Sequence, residues 1–360
     1  MIIFLSIFAV ILLIGCRATS IKEFNTDYMS KDNTNIIKGV FVVFVFFSHC
    51  SQYLKLGGVY DAPYLVIRDF LGQMIVAMFL FYSGYGIMES IKTKSFGYVK
   101  KIPVRRILKT LINFDIIVLL YYVIDLIFKV NYKWSDLLWS FVGWKSVGNS
   151  NWYILAILIL YALSFLAFLP IKFSNKKFMH ILCAIIMTIL TVVAAFLIFK
   201  ADKESYYYNT LLIYPLGMWF SILKTYIDKF VMKNHIIYFV VLMIGLAAFI
   251  YTHEHILDQP YIENGLHYTL SLPYTLWSFA FTLFIVLLTM KLRIKSFVYK
   301  WLGEHIFTVY MLQRVPMMIF QQIGLDKYKY LFVILSLIAS VALAILFDAF
   351  FKKLWSKIKI

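Results

Sequence analysis

The segment NIIKGVFVVFVFFSHC, residues 35–50, decides the fold because it is an apolar run of the kind that crosses a bilayer. It carries a lysine near its start, Lys38, and a histidine near its end, His49. A transmembrane helix needs about 20 mainly apolar residues, and a charged or titratable group inside it is costly unless partnered or hydrated. We therefore predict a spanning helix over 36–54 and treat its two polar groups as candidate functional residues.

The same pattern continues along the rest of the chain. The 360 residues are 62% hydrophobic and only 15% charged, with a mean hydropathy of +0.82. A soluble domain has about a quarter of its residues charged. The composition therefore predicts an all-α integral membrane protein with about eleven transmembrane helices. Their expected bounds are 2–16, 36–54, 72–90, 107–128, 151–170, 178–199, 206–223, 235–252, 272–290, 303–323 and 330–351.

Lysine and arginine residues recur in alternate loops and give the chain a net charge of +17. Cytoplasmic loops of membrane proteins carry an excess of these residues. The distribution predicts an N-terminus outside and a cytoplasmic C-terminus, and it argues against a nucleic-acid partner because no single basic patch forms. No positive charge precedes the apolar run 2–16, contrary to a secretory signal, so we expect this first helix to be retained.

The spacing of Lys38 and His49 places both side chains on one helix face. Eleven residues correspond to about three turns and a rise of about 16 Å. Lys38 would then lie at the cytoplasmic mouth and His49 deep in the membrane, an arrangement that suits a long anionic molecule. Imidazole is also the usual proton acceptor for a hydroxyl near neutral pH. The spacing alone slightly favours the other interpretation, a lysine that snorkels to the inner surface and a hydrogen-bonded packing histidine, so both interpretations stay open.

The most basic segment is KTKSFGYVKKIPVRRILK, residues 92–109. The positive-inside rule alone accounts for such a loop. Arg105 and Arg106, at the start of the next helix, also favour a phosphate-binding rim, since arginine offers paired donors to phosphate and a helix N-terminus adds its own amides. The sequence leaves these two interpretations open.

Two aspartates lie within the fourth predicted span. Asp115 and Asp125 are ten residues apart there, and either could orient His49 or pair with Arg314.

The motif HEH at 253–255 is interpreted as a solvated loop. Its flanking residues do not follow a known metal-ligand spacing, and the three cysteines form no CxxC motif, so we expect no metal site.

Five segments, taken in order, resemble the acyltransferase 3 superfamily of membrane-bound acyltransferases. IIKGVFVVFVFFSHC is similar to the opening catalytic helix, in which a basic residue, usually arginine, lies eleven positions before a histidine; here the basic residue is Lys38. MIVAMFLFYSGYGI, residues 74–87, resembles the next helix, which ends in Ser-Gly, here Ser83 and Gly84.

The remaining three segments continue the resemblance to residue 317. IPVRRILKTLI, residues 102–112, resembles the following basic segment, and SNWYILAILILY, residues 150–161, resembles a helix that begins around a tryptophan, here Trp152. IFTVYMLQRVPM, residues 306–317, resembles the late Tyr-Leu-x-His segment, with Tyr310 kept and Gln313 where histidine is common.

This resemblance implies an acyltransferase domain of ten helices over 35–360, preceded by an extra transmembrane helix and cytoplasmic loop at 1–34. It implies an O-acyltransferase, often an O-acetyltransferase, of the cell (plasma) membrane that uses cytoplasmic acetyl-CoA or another acyl-CoA as co-substrate and no bound cofactor. The acceptor would be a hydroxyl of a surface polysaccharide, peptidoglycan or a lipid-linked glycan, reached from the outer side.

The resemblance also suggests roles for individual residues. His49 would be the general base, with a covalent acyl-imidazole as the open alternative, and Lys38, Arg105 and Arg106 would hold the CoA phosphates. The supporting positions are Ser83, Gly84, Trp152, Tyr310, Arg314 and Asp115. Ser83 and Gly84 are expected to allow close helix approach rather than to take part in chemistry.

Two other classes of membrane protein remain as alternatives. A transporter or flippase also uses many spans with buried charges, but we see no internal repeat and no pair of interrupted helices in matching halves. A polysaccharide polymerase usually carries a large exterior loop or a cytoplasmic domain, and the expected exterior loops near 129–150 and 253–271 are short.

Overall fold

The computed structural model describes residues 1–254 and 272–358, and these are folded mainly as helices. The helices in chain order are α1 Ile2–Gly15, α2 Lys31–Cys50, α3 Ala62–Leu71, α4 Met74–Lys94, α5 Phe96–Val99, α6 Lys109–Ile127, α7 Trp134–Ser140, α8 Trp152–Ala167, α9 Lys177–Lys200, α10 Ile213–Val231, α11 His235–Thr252, α12 Leu272–Thr289, α13 Phe297–Glu304, α14 Ile306–Leu312, α15 Arg314–Gln322 and α16 Lys329–Ile358. Shorter helical turns are the π-helix Pro103–Leu108 and the 3₁₀ turns Leu169–Lys172, Ser205–Tyr207 and Leu325–Lys327.

The lengths and hydropathy of these helices are those of a membrane protein. Within residues 1–254 and 272–358, six helical segments are long and apolar enough to cross a bilayer. They are Lys31–Cys50, Met74–Lys94, Phe96–Ile127, Lys177–Lys200, His235–Thr252 and Lys329–Ile358. Three shorter apolar helices are Ile2–Gly15, Trp152–Ala167 and Pro273–Thr289. The predicted all-α membrane fold agrees with this architecture.

One small β-sheet departs from the all-α prediction. Strand β1, Cys16–Ala18, pairs antiparallel with strand β2, Leu292–Ile294, and Arg17 lies opposite Arg293. Strands of three residues leave no periodic pattern in the sequence, which is why the prediction missed them. The sheet ties the end of α1 to the segment between α12 and α13.

The segment predicted as one span over 303–323 is divided into three short helices. α13 ends at Glu304, α14 ends at Leu312, and α15 begins at Arg314. Pro316 has no amide hydrogen to donate to Leu312, and proline is tolerated in the first turn of a helix, so a new helix starting at Arg314 accommodates it.

Close glycine contacts hold the helices that carry the candidate residues. A Cβ atom on Gly84 of α4 would lie 2.0 Å from the carbonyl oxygen of Tyr214 in α10, and α10 returns the contact through Gly217, where a Cβ would lie 2.1 Å from the Phe81 oxygen. Gly39 of α2 is packed in the same way against the backbone of α13. Glycine at these positions lets the helix backbones approach each other closely.

Helix α1 packs against α2 and α13. The rings of Phe8 and Phe47 meet edge to face with centroids 5.4 Å apart, and the Tyr299 hydroxyl donates to the Phe8 carbonyl oxygen at 2.8 Å. The segment 1–34 therefore shares its core with the remainder of the chain.

Candidate functional site

Two cavities open along α2, one around each of its candidate residues. The His49 cavity has a volume of about 860 Å³ and the Lys38 cavity a volume of about 650 Å³. The His49 cavity is bounded by the end of α2, by α3, and by the loops before α8 and α10. The Lys38 cavity is bounded by α2, α4, the π-helix, α6, α8 and α16.

Tyr310 of α14 lines both cavities and so lies between them. Its ring centroid lies 5.9 Å from that of His49 and 5.6 Å from that of Tyr153. The Tyr153 ring in turn lies 6.2 Å from that of Phe79, and both of these residues line the Lys38 cavity. A row of aromatic rings therefore leads from the Lys38 cavity to the imidazole.

The imidazole of His49 is buried and has one polar partner. Its Nε2 atom lies 3.3 Å from the Ser150 hydroxyl oxygen, and its Nδ1 atom has no hydrogen-bond partner among the described residues. Which of the two groups donates depends on the ring tautomer. A neutral ring held in this way keeps one unprotonated nitrogen, which is what a general base requires.

The loop that carries Ser150 is ordered by its own backbone and by the next helix. Gly143 and Gly148 both adopt positive φ, of 75° and 80°, a conformation that glycine reaches without a steric cost. The Asn151 side chain donates to the Gly143 carbonyl at 2.6 Å and to the Tyr207 hydroxyl at 3.0 Å. These contacts fix Ser150 opposite the end of α2.

Arg314 reaches the His49 cavity from the first residue of α15. Its Nη2 atom donates to the Oε1 atom of Gln52, which lies in the turn that follows α2. Gln52 follows His49 by three residues, and its amide donates to the His49 carbonyl at 3.0 Å. The imidazole and this guanidinium are therefore parts of one local arrangement.

Aromatic and charged side chains cover the rest of the His49 cavity wall. The Trp152 ring lies 6.0 Å from that of Tyr206, and both line the cavity. Lys203 lies over the rings of Trp144 and Tyr207 and donates to the Trp144 carbonyl. Burial of Lys203 lowers its pKa below the usual value. Such a wall of flat rings and polar groups is suited to sugars, whose ring faces are apolar and whose edges carry hydroxyls.

The Lys38 cavity is lined by five basic and two acidic residues. The basic residues are Lys38, Arg105, Arg106, Lys109 and Lys352, and the acidic ones are Glu304 and Asp348. The Arg106 Nε atom donates to the Tyr98 hydroxyl at 3.1 Å, and a smaller cavity of about 370 Å³ is lined by Arg105, Arg106 and two more lysines. The arrangement has the charge and the donor groups that a polyanion needs.

Of the other predicted site residues, some line one of the two cavities and others do not. Ser83 lines the Lys38 cavity and Trp152 lines the His49 cavity. Asp125 accepts from the Tyr132 hydroxyl at 2.9 Å, and the Oδ1 atom of Asp115 is buried without a hydrogen-bond partner among the described residues. Neither carboxylate contacts His49 or Arg314 within that part of the chain, so the orienting or pairing role considered for them is not seen.

Sequence reasoning missed Ser150, Gln52 and one carboxylate–imidazole pair. His305 Nδ1 hydrogen-bonds to Asp348, which also accepts from the Thr308 hydroxyl at 3.0 Å. Asp348 lines the Lys38 cavity. Each of these contacts joins residues far apart in the chain, so no local pattern in the sequence predicts it.

Residues 1–254 and 272–358 contain no cluster of three or more potential metal ligands. Of the HEH motif, His253 and Glu254 are hydrogen-bonded to each other at 3.0 Å, and His255 lies outside the described residues. The assembled site therefore consists of a buried imidazole, an adjacent basic cavity and an aromatic row between them.

Residues 32–349 match the model of the acyltransferase 3 family, whose description is "Acyltransferase domain". No curated protein and no solved structure matches the chain.

Proposed function

Because the chain belongs to the acyltransferase 3 family, we propose that it is an O-acyltransferase that moves an acyl group from cytoplasmic acyl-CoA to a sugar hydroxyl. The donor is acetyl-CoA, and the acceptor belongs to a surface polysaccharide or a lipid-linked glycan. The observation that carries this proposal is the pair of cavities along α2, one basic around Lys38 and one around the His49 imidazole, which share Tyr310 as a lining residue.

The acyl-CoA binds in the Lys38 cavity. Its phosphates contact Lys38, Arg105 and Arg106, whose charge-assisted hydrogen bonds are the strongest kind available to a protein for phosphate. The thin pantetheine arm follows the aromatic row of Tyr153 and Tyr310 toward the imidazole. The two ends of this path, Lys38 and His49, are separated by a rise of about 16 Å along the continuous helix α2. Ser83 and Gly84 line or support this path without taking part in the chemistry.

His49 acts as the general base. One ring nitrogen takes the proton of the acceptor hydroxyl as its oxygen attacks the thioester carbonyl, and the CoA thiolate leaves. The imidazolium then gives this proton to the CoA thiolate, which restores the neutral ring. The Ser150 hydroxyl holds the ring in position while its charge changes. The alternative sequence, in which the acyl group first rests on the imidazole, uses the same residues.

The proposed orientation places the N-terminus outside and the C-terminus in the cytoplasm of the cell (plasma) membrane, with about eleven transmembrane helices. The Lys38 cavity then faces the cytoplasm, where acyl-CoA is found, and the His49 cavity faces the acceptor. Single cysteines at Lys55 and Lys100 would be labelled by a membrane-impermeant maleimide from opposite sides, with Lys55 outside. The reverse labelling would contradict this orientation.

Mass spectrometry of surface glycans tests the proposal as a whole. Cells that carry the gene should display an O-acetyl or other O-acyl group that is absent after deletion, and the wild-type gene should restore it. The His49→Gln variant at equal expression should not restore it. Unchanged glycan acylation after deletion would contradict the proposal, and a change in glycan length without a change in acylation would favour a polymerase.

A further inference from the structure

We infer that the acceptor carries an anionic group, a carboxylate or a phosphate, which Arg314 binds in the His49 cavity beside the reacting hydroxyl. The inference rests on the proposed acyl transfer and specifies the substrate class that enters from the acceptor side. It is carried by the contrast between Arg314 and the other cations of the same cavity wall.

The other three cations that line the cavity already have partners. Arg68 pairs with Asp69 at 2.8 Å, and Lys145 lies 4.0 Å from Asp136. Lys203 donates to the Trp144 carbonyl, lies 4.3 Å from the centre of the Trp144 ring and interacts with the carboxylate of its neighbour Glu204. These groups do not need a ligand to satisfy their charge.

Arg314 has no carboxylate partner within the described residues. Its contacts there are with neutral groups, the amide oxygen of Gln52 and the side chain of Tyr53, whose ring centre lies 6.0 Å from the guanidinium carbon. Its Nε atom is buried without a partner. A guanidinium that is partly removed from water and faces only neutral groups is under-compensated. The planar fork of arginine is suited to a carboxylate or a phosphate, which it binds through two parallel hydrogen bonds.

The position of Arg314 couples anion binding to the chemistry. Tyr310 and Arg314 lie on either side of the break between α14 and α15, and both side chains line the His49 cavity. Tyr310 contacts the His49 ring, and Gln52 links Arg314 to the turn directly after His49. An anionic substituent held by Arg314 would therefore bring the hydroxyls of its own sugar toward the imidazole.

The shape and lining of the cavity fit this class of ligand. Its volume of about 860 Å³ lies within the usual range for ligand pockets of about 300–1,000 Å³. Trp152 and Tyr206 offer ring faces, and Asn149 and Ser150 offer polar groups at the same wall. Four cationic side chains but only two carboxylates, those of Asp69 and Glu204, line the cavity, so its wall carries an excess of positive charge. An acidic sugar satisfies both the rings and the charge, whereas a neutral one leaves Arg314 unpaired.

Equilibrium dialysis with the full-length protein in nanodiscs tests the inference directly. The probes are three glucose tetrasaccharides that differ in one residue: one contains a glucuronate, one carries a glycerol phosphate and one is neutral. We expect at least one anionic probe to bind about tenfold tighter than the neutral one, and the better of the two identifies carboxylate or phosphate as the recognised group. Arg314→Gln should abolish this preference, and Arg314→Lys should keep part of it because the charge remains without the fork.

Two further variants keep the test decisive. Gln52→Glu would place a carboxylate against the guanidinium and should also abolish the preference while leaving Arg314 in place. Arg293→Gln removes an exposed arginine that lines none of the cavities described here and should keep the preference. Equal binding of all three probes by the wild-type protein, or a preference that survives Arg314→Gln, would overturn the inference.

Glycan acylation and probe binding together distinguish a failure of the acidic acceptor from a failure of the transferase activity. Surface glycan acylation that depends on the gene, together with charge-independent binding, would overturn only the acidic acceptor. Absence of any gene-dependent acylation would overturn the transferase activity itself, whatever the binding preference.

Discussion

The Nε2 atom of His49 lies 3.3 Å from the hydroxyl oxygen of Ser150, although 101 positions separate the two residues in the chain. This is the one hydrogen bond that the ring makes among the described residues, since Nδ1 has no partner there. The end of α2 and the loop before α8 therefore act together to set the orientation of the proposed base.

Replacement of Ser150 should impair the base without removing it. Ser150→Ala is expected to lower kcat about tenfold, because a neutral hydrogen bond contributes about 0.5–1.5 kcal/mol, and to leave KM for acetyl-CoA unchanged. It should also shift the pH dependence of kcat, which a purely structural residue would not do. Ser150→Thr keeps the hydroxyl and should restore both values. An unchanged pH profile in Ser150→Ala would remove this positioning role.

Lys38 should govern the use of acetyl-CoA. Lys38→Ala is expected to raise KM for acetyl-CoA by about ten- to a hundredfold, since a hydrogen bond to a charged group contributes about 1.5–3 kcal/mol. Lys38→Arg should keep nearly normal values because the charge remains. Lys31→Ala removes an exposed lysine from the first turn of the same helix and serves as the control. Normal KM in Lys38→Ala would mean that Lys38 is only a snorkelling anchor.

Arg105 should contribute to the same binding step through charge. Arg105→Gln is expected to raise KM for acetyl-CoA several-fold with little change in kcat, and to make KM less sensitive to salt because fewer screened contacts remain. Lys100→Gln, an exposed residue of the same basic segment that lines none of these cavities, should behave like wild type. Equal effects of the two variants would indicate that the segment acts only through its general charge.

Gly84 should be required for packing rather than for chemistry. Gly84→Ala introduces a methyl group that would lie 2.0 Å from the Tyr214 carbonyl oxygen, so α4 and α10 must separate. Overpacking of this kind costs about 1–3 kcal/mol or more, and we expect a lower melting temperature in detergent. Gly86→Ala is the matched control, because its Cβ would meet nothing within 4 Å. Equal stability of the two variants would contradict the close contact.

Much of the helical architecture could be predicted from the sequence. The apolar runs predicted at 2–16, 178–199 and 235–252 correspond closely to α1, α9 and α11. Hydropathy works here because a run of apolar residues is a local property of the chain. It was less accurate for α10, which begins at Ile213 rather than 206, and for the region of Pro316, where one predicted span is three helices.

The contacts that complete the site could not be predicted in the same way. Ser150 and Gln52 are ordinary polar residues next to helix ends, and nothing local in the sequence names His49 or Arg314 as their partners. Asp115 was a stronger sequence candidate because it is charged and lies within a span. The structure places its carboxylate away from both cavities, since pairing across helices depends on their packing.

Transfer of label from acetyl-CoA in inverted membrane vesicles would show directly whether His49 carries acyl transfer across the membrane. In such vesicles the cytoplasmic face is outside, so acetyl-CoA labelled in its acetyl group reaches the Lys38 cavity while the native glycan lies in the lumen. We predict that wild-type protein labels the luminal glycan and that His49→Gln and His49→Ala, at equal abundance, do not. Labelling by both variants at the wild-type rate, or no labelling by the wild-type protein, would contradict it.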